Sequence, residues 1–280
     1  MTSWISRYPK PRAGNFPLPS PIIPLQNSVQ QSAAGERYVN SEEELRQAIL
    51  AVASTFRVGG AKLATSGGGN IVIAKSFTVS DVVTIPPKCS FLTIRALPGA
   101  GIFPVEADQG VLFDIQAQFF TLEKVIALYQ VDEGNNPTAW FNVFAQASQG
   151  AAVDGVTIKP INMRIHDSIA YCDQLFYDAT TDDAGYAYLV GCYSTEANPS
   201  HTACVRFNSR GQQVVQCILS DGGGDAVTID TNASRCVVER CDLSGGDVTS
   251  TASGGGSRVW NNERTGTLTL HGDDSSGGNT

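Results

Sequence analysis

The chain is short of charge: Asp, Glu, Lys and Arg make up 16% of its 280 residues, well under the usual quarter. Lys and Arg never gather into a cluster, and the formal net charge is −8. Phosphate neutralisation needs a basic face, so direct nucleic-acid binding is not expected. No stretch approaches the ~18 consecutive apolar residues of a membrane span. No apolar run follows the early basic residues either, so no export signal is read and a cytoplasmic origin is expected. Three histidines and no Gly-x-Ser-x-Gly elbow leave nucleophilic catalysis little support. The Gly-rich stretch 221–225 is followed by no Gly-Lys-Ser/Thr, so it is not a phosphate loop. Seven cysteines are an odd number, which reads as reduced thiols acting as small core residues.

The polar positions are filled by Ser, Thr, Asn, Gln and 28 Gly, a composition that suits an all-β protein with many turns. Residues 1–37 stand apart. Pro9, Pro11, Pro17, Pro19, Pro21 and Pro24 fall within sixteen residues, a density that forbids a helix and favours extended polyproline backbone. Trp4, Ile5, Tyr8, Phe16, Leu18, Ile22, Ile23 and Leu25 are interleaved with them. A flexible linker carries few large apolar groups, so this segment is expected to lie in a groove, either of its own domain or of a partner, with the partner favoured and the segment then an anchoring arm.

Residues 38–270 form the main unit, which opens with a helix over 41–55. Ser41 and Glu44 have the spacing of a capping box, and Leu45, Ala48, Ile49 and Val52 mark one apolar face. Beyond Gly67, β-branched runs broken by Gly, Asn and Pro continue to residue 270. They repeat: segments ending at Ser194, Ser220 and Ser244 look alike, with Ser168 ahead of them, at serine spacings of 26, 26 and 24. A second series starts at Val111, Trp140, Gln174, Cys204, Ala226 and Ser257. A period in the twenties without a helix in each unit indicates a β-solenoid. Some seven to nine coils stacked at about 4.8 Å would make a rod of roughly 35–45 Å. Cys192, Cys217 and Cys241, spaced 25 and 24 apart, are expected to form an internal sulfur column. Residues 271–280 are expected to be a flexible tail.

The helix from Glu42 to Val52, the run Gly67 to Asn70, then Ile71 to Ile73 and Val82 to Pro86 together resemble the opening of the pectate-lyase-like right-handed parallel β-helix superfamily. The stretches 113–125 and 226–241 resemble its rungs. The resemblance implies a helix capping the first open coil, which would shield unpaired strand edges. It says little about function, because the superfamily holds lyases, hydrolases, phage tailspikes and inert virion proteins.

The hydrolase and lyase signatures of that superfamily do not occur in order here. Asp221 and Asp225 are the nearest local acid pair, with Asp182 and Asp183 as an extension of the patch and Arg206 and Arg240 as basic partners. The competing reading, which we favour, makes them solvated turns. His201, Cys204, Cys236 and Cys241 lack the paired short spacing of a zinc site. Asp230, Asp242 and Asp247 are candidate calcium ligands at bends. No cofactor is expected. The expectation is a non-enzymatic bacteriophage virion protein, a head decoration or small tail appendage. It would be assembled in the host cytoplasm, anchored to other virion proteins by its arm, and homotrimeric as the resemblance implies. A cell-surface glycan is a candidate ligand. The alternative is a polysaccharide-degrading lyase or hydrolase of the depolymerase-spike type.

Overall fold

The computed structural model describes residues 30–31, 35–55, 68–104, 112–128, 142–145, 151–153, 156–158, 161–171, 174–178, 185–195, 203–220, 224–244, 246–264 and 266–280. Strands of two to five residues wind into a parallel β-helix with three faces. The first face has eleven strands. Gln30–Gln31 runs antiparallel at its edge to Glu36–Val39. Nine strands then stack in parallel: Gly69–Ile73, Leu92–Ala96, Thr121–Glu123, Arg164–His166, Tyr188–Val190, Gln213–Val215, Val237–Glu239, Arg258–Trp260 and Ser275–Gly277. The second face, from Phe77–Val79 to Glu263–Arg264, and the third, from Val83–Ile85 to Leu268–Thr269, have eight strands each. Eight coils with all three faces fall within the number expected from the repeat.

The period-2 alternation of each strand puts one set of side chains inside. On the first face Ile71, Ile94, Leu122, Ile165, Leu189, Val214, Val238 and Val259 stack in register, and all are buried. On the third face Val83 stacks on Phe113 and Phe207 on Ile229, again buried. Stacking of apolar residues in register on each face makes one continuous core that runs along the rod.

The helix spans Glu42–Ala53, and Leu45, Ala48, Ile49 and Val52 are its buried residues, as the spacing predicts. Its inner face packs on Glu36–Val39, Gly69–Ile73, Phe77–Val79 and the short 3₁₀ turn Pro87–Cys89, so it covers the first coil. Ser41 accepts a hydrogen bond from the Glu44 amide at 3.2 Å. The return half of the box is displaced by one residue: Glu44 accepts from the Asn40 amide at 2.7 Å and from the Asn40 side chain at 3.3 Å. Arg46 ties the helix to the coil below through the carbonyls of Asp81 and Val82.

Four sequence expectations are corrected. Glu36 and Arg37, assigned to the arm, belong to the first rung, and Glu36 is ion-paired with Arg95 at 2.8 Å. Hydrogen bonds from Arg95 and Tyr38 hold its carboxyl below the usual carboxylate range. Residues 271–280 are not a free tail. Ser275–Gly277 pairs with Arg258–Trp260, and Asn279 and Thr280 bond to the coil beneath. The serine repeat does not keep one register: Ser194 stacks on Leu219, and the position that stacks on Cys192 is Ser168. The segment at Ser257 lies on the first face, not with the Phe113 series on the third. The last two errors share a cause. Coil length varies by a residue or more, and a one-residue slip turns a strand over.

Candidate functional site

Each rung of the first face from Thr121–Glu123 to Arg258–Trp260 is bracketed by two residues with positive φ. The leading corners are Phe119, Asn162, Tyr186, Gly211, Arg235 and Gly256, and the trailing corners are Lys124, Asp167, Gly191, Gln216, Arg240 and Asn261. The two always lie five residues apart. A left-handed corner reverses the chain in a single residue, so the next residue points inward at once. The corner residue itself points out. That is how the fold places large side chains on the surface: Phe119 is 38% exposed and Tyr186 48% exposed. A non-glycine residue in this conformation costs about 1–2 kcal/mol, which the packed rungs on either side must offset.

The leading corners stack directly, since the Phe119 amide donates to the Ile161 carbonyl and the Tyr186 amide to the Arg210 carbonyl. Phe91, at the corner before Leu92–Ala96, lies flat on Phe119 with ring centroids 4.8 Å apart and planes within 3°. The Tyr186 ring lies over Gly211. A Cβ there would sit 2.8 Å from two ring carbons, so this position needs glycine for space as well as for its φ of 72°. Between the two aromatic corners the surface forms a concavity of about 510 Å³, walled by Phe119, Tyr186 and Tyr188 with Asn162, Arg164 and Gln213 among them. The ring of Tyr188 is held edge-on to His166, centroids 6.4 Å apart. The site thus offers flat apolar faces, amide groups and one guanidinium, with no carboxylate in its wall.

The sequence candidates lie elsewhere. Asp182, Asp183 and Asp221 are outside the described residues, as are Trp4, Ile5, Tyr8, Phe16, Leu18, Ile22, Ile23 and Leu25, and so is His201. Asp225 begins a third-face strand and stacks in register with Asp247. Asp225 accepts from the Thr228 hydroxyl at 2.9 Å, and Asp247 accepts from the Thr267 amide. Among the described residues, Arg206 is bound to Asp230 at 2.5 Å and Arg240 to Glu239 at 3.2 Å. Asp242 accepts from the amide and hydroxyl of Ser244. Burial pushes the Asp114 carboxyl up, but its register neighbours are Thr84 and Phe144 rather than a second acid.

The six thiols among the described residues are interior groups. Cys192, Cys217 and Cys241 are buried in one column, as the spacing predicts, and each lies within reach of a backbone carbonyl of the preceding coil, those of Ile165, Leu189 and Val214. Hydrogen bonds to Cys192 and Cys241, together with burial, push the Cys217 thiol well up. Burial pushes Cys89 and Cys236 up to about 12. Polar side chains extend the column: Ser168 accepts from the Val125 amide, and Asn262 accepts from the Cys241 amide at 2.9 Å while donating to the Val238 carbonyl at 3.0 Å. A buried carboxylate, Asp178, accepts from Ser209 and from Gln212 at 2.7 Å. No three His, Cys, Asp or Glu side chains among the described residues are grouped to hold a metal ion.

Sequence reasoning missed the aromatic concavity. Phe119 and Tyr186 are 67 positions apart in the chain, and the intervening coil is 43 residues long from corner to corner, Phe119 to Asn162, so no fixed period links them.

No family model matches the chain, and no curated protein matches it. Among solved structures, one described as a "putative glycosyl hydrolase" from Parabacteroides merdae matches at 11% identity and a TM-score of 0.25, covering 88% of this chain and 95% of that one. A likeness at that TM-score carries no argument for fold or chemistry.

Proposed function

We propose that this chain is a non-enzymatic structural protein of a bacteriophage virion, a head decoration or small tail appendage. In this reading it is a member of the pectate-lyase-like right-handed β-helix superfamily and forms a homotrimer. Its N-terminal arm holds it to other virion proteins. The observation that carries the non-enzymatic part is where the carboxylates go. Asp178, Asp225, Asp230, Asp242, Asp247 and Asp274 each accept hydrogen bonds from their own coil or an adjacent one. General acid–base chemistry on a glycan needs two carboxyl groups about 5–9 Å apart across an open cleft, with environments that drive their pKa values apart. Here the open concavity is walled by aromatics, amides and one guanidinium, and these acids are engaged by donors of the solenoid itself. The particle role is supported by the arm, whose apolar residues are too many for solvent and too proline-broken for a core of their own.

Purified protein incubated with acidic polysaccharides should release neither unsaturated nor reducing sugar ends, and Asp225→Asn should behave as the parent. Robust cleavage that Asp225→Asn abolishes would replace this reading with the depolymerase one. A chain starting at Gln30 should keep its β-rich circular dichroism yet fail to join the particle. Normal occupancy without residues 1–29 would show that the solenoid makes the contact.

A further inference from the structure

We infer that the aromatic concavity on the first face is a receptor for the proline-rich arm of a neighbouring copy of this chain, with Pro21 and Pro24 seated on Tyr186 and Phe119. The inference rests on the reading of the N-terminal arm, residues 1–29, as an anchor, and it names a partner for that anchor.

Three observations lead to it. The first is the chemistry of the wall. Phe119, Tyr186 and Tyr188 supply the apolar wall, Asn162 and Arg164 stand between them, and Gln213 lies one coil beyond Tyr188, all three as hydrogen-bond donors. Polyproline backbone has no internal hydrogen bonds, so its carbonyls are free to accept. Proline-rich segments of the form Pro-x-x-Pro bind grooves of this kind because their geometry is already fixed and little entropy is lost. The second is that the chain supplies such a segment: Pro21-Ile22-Ile23-Pro24, preceded by Pro17 and Pro19.

The third is spacing. Polyproline has three residues per turn at about 3.1 Å each, so Pro21 and Pro24 point the same way about 9.3 Å apart. The corners of Phe119 and Tyr186 lie two coils apart on the stacked ladder, with Asn162 between them. At about 4.8 Å per coil that is about 9.6 Å. The repeat of the ligand and the repeat of the solenoid coincide at this pair of corners.

Reach decides between the chain's own arm and a neighbour's. Gln30–Gln31 is the outermost strand of the first face, four strand spacings from Thr121–Glu123 and six from Tyr188–Val190. Those distances are about 19 and 29 Å. Even fully extended at about 3.5 Å per residue, the six residues from Pro24 to Gln30 cover about 21 Å, and the nine from Pro21 about 31 Å. The chain's own arm would have to be drawn taut to climb from the sheet edge onto the outward surface, at a full cost in backbone entropy. A neighbouring copy meets no such limit.

The test uses full-length chains in sedimentation velocity over a range of concentrations. The parent should self-associate. Tyr186→Asn removes the ring and keeps a residue that accepts the left-handed corner. The double change Pro21→Ala with Pro24→Ala alters only the arm. Each should weaken self-association about tenfold or more, with the thermal unfolding midpoint unchanged, and Tyr186→Phe should restore it. An equimolar mixture of Tyr186→Asn with the double proline variant should form a mixed complex, because the intact arm of the first meets the intact concavity of the second. A parent that stays monomeric overturns the proposal, as does association that none of these variants touches. Glycan binding lost in Tyr186→Asn while association persists would reassign the concavity to a carbohydrate. None of these outcomes depends on particle incorporation. Loss of incorporation without residues 1–29, in a parent that stays monomeric, would leave the anchor reading standing and remove only this one.

Discussion

In the second coil the inward position on the third face is Ile115, beside Phe113, and both are fully buried. In the seventh coil the corresponding position is Ser250, whose hydroxyl donates to Asp274 in the loop before the last rung. The trailing corner of the first face shows the same drift, from Val125 through Ser168 and the three cysteines to Asn262 and Asn279. The coils shorten in parallel. Trailing corners fall at Gly191, Gln216, Arg240, Asn261 and Gly278, so the spacing drops from 25 to 17 residues. A wide coil has an interior volume to fill and uses rings and branched chains. A short coil brings its faces too close for them. Side-chain amides then become the economical filler, because one Asn can bond to the backbone of the coil below and to the Asn of the coil above. The N-terminal coils are held by volume and the C-terminal coils by hydrogen bonds.

The strongest way to break that comparison is to empty a wide coil. Phe113→Ala should cost about 2–5 kcal/mol in chemical denaturation, since a ring removed from a packed rung leaves a cavity that stacked neighbours cannot collapse into. Ile229→Ala, also fully buried, should fall in the same range. A change near zero at either site would mean that the side chain faces outward and the register is wrong.

The sequence carries this division unevenly. The helix is legible because its apolar spacing and its Ser41 cap are local signals. The cysteine column is legible because coils of nearly equal length put like residues at 24–25-residue intervals. Once the coils shorten, a reading by constant period slips, which is why Ser257 is assigned to the wrong face and the last ten residues to a tail. The corners are illegible for another reason. Lys124, Gln216, Arg235 and Arg240 are residues that propensity never places at positive φ, yet the rungs on both sides hold them there. Because the corners could not be read, neither could the concavity that two of them wall.

At the hydrogen-bonded end, Asn262→Ala should cost about 1–3 kcal/mol, because it leaves the Cys241 amide buried without a partner and removes a side-chain bond to the Val238 carbonyl. The loss should exceed that of Asn232→Ala, an exposed residue whose amide reaches only the Asn208 side chain. Equal effects would mean that the interior amides contribute no more than surface ones. Alkaline titration probes both ends together. Cys89, beneath the helix, and Cys236, in the seventh coil, have thiols raised from 9.0 to about 12. A raised folded value means that the stability is fully present below the unfolded value of about 9 and is lost as pH climbs toward 12. The loss should be about 1.4 kcal/mol per pH unit for each thiol. Cys236→Ala and Cys89→Ala should each flatten the decline above pH ~9. A slope unchanged in both would show that these thiols ionise freely in the native protein.

The smallest effect belongs to the corners, which the two ends share. Arg240 has a φ of 56° and a side chain that is exposed apart from its pair with Glu239. Replacing it by glycine relieves about 1–2 kcal/mol of left-handed strain. Against that, glycine loses about 0.5–1 kcal/mol more backbone entropy on folding, and the surface ion pair that disappears is worth well under 1 kcal/mol. Arg240→Gly should therefore be neutral to slightly stabilising, within about 1 kcal/mol of the parent. Gly191→Ala is the reverse substitution at the equivalent corner two coils earlier. There φ is 63° and the added Cβ would come within 2.5 Å of the Asp167 carboxylate, so it should destabilise. The two variants measured side by side by thermal unfolding isolate the cost of the corner from everything the coils add. Opposite signs support a strained corner held by its rungs. A clear loss in Arg240→Gly would instead make the arginine side chain itself part of what fastens the seventh coil to the eighth.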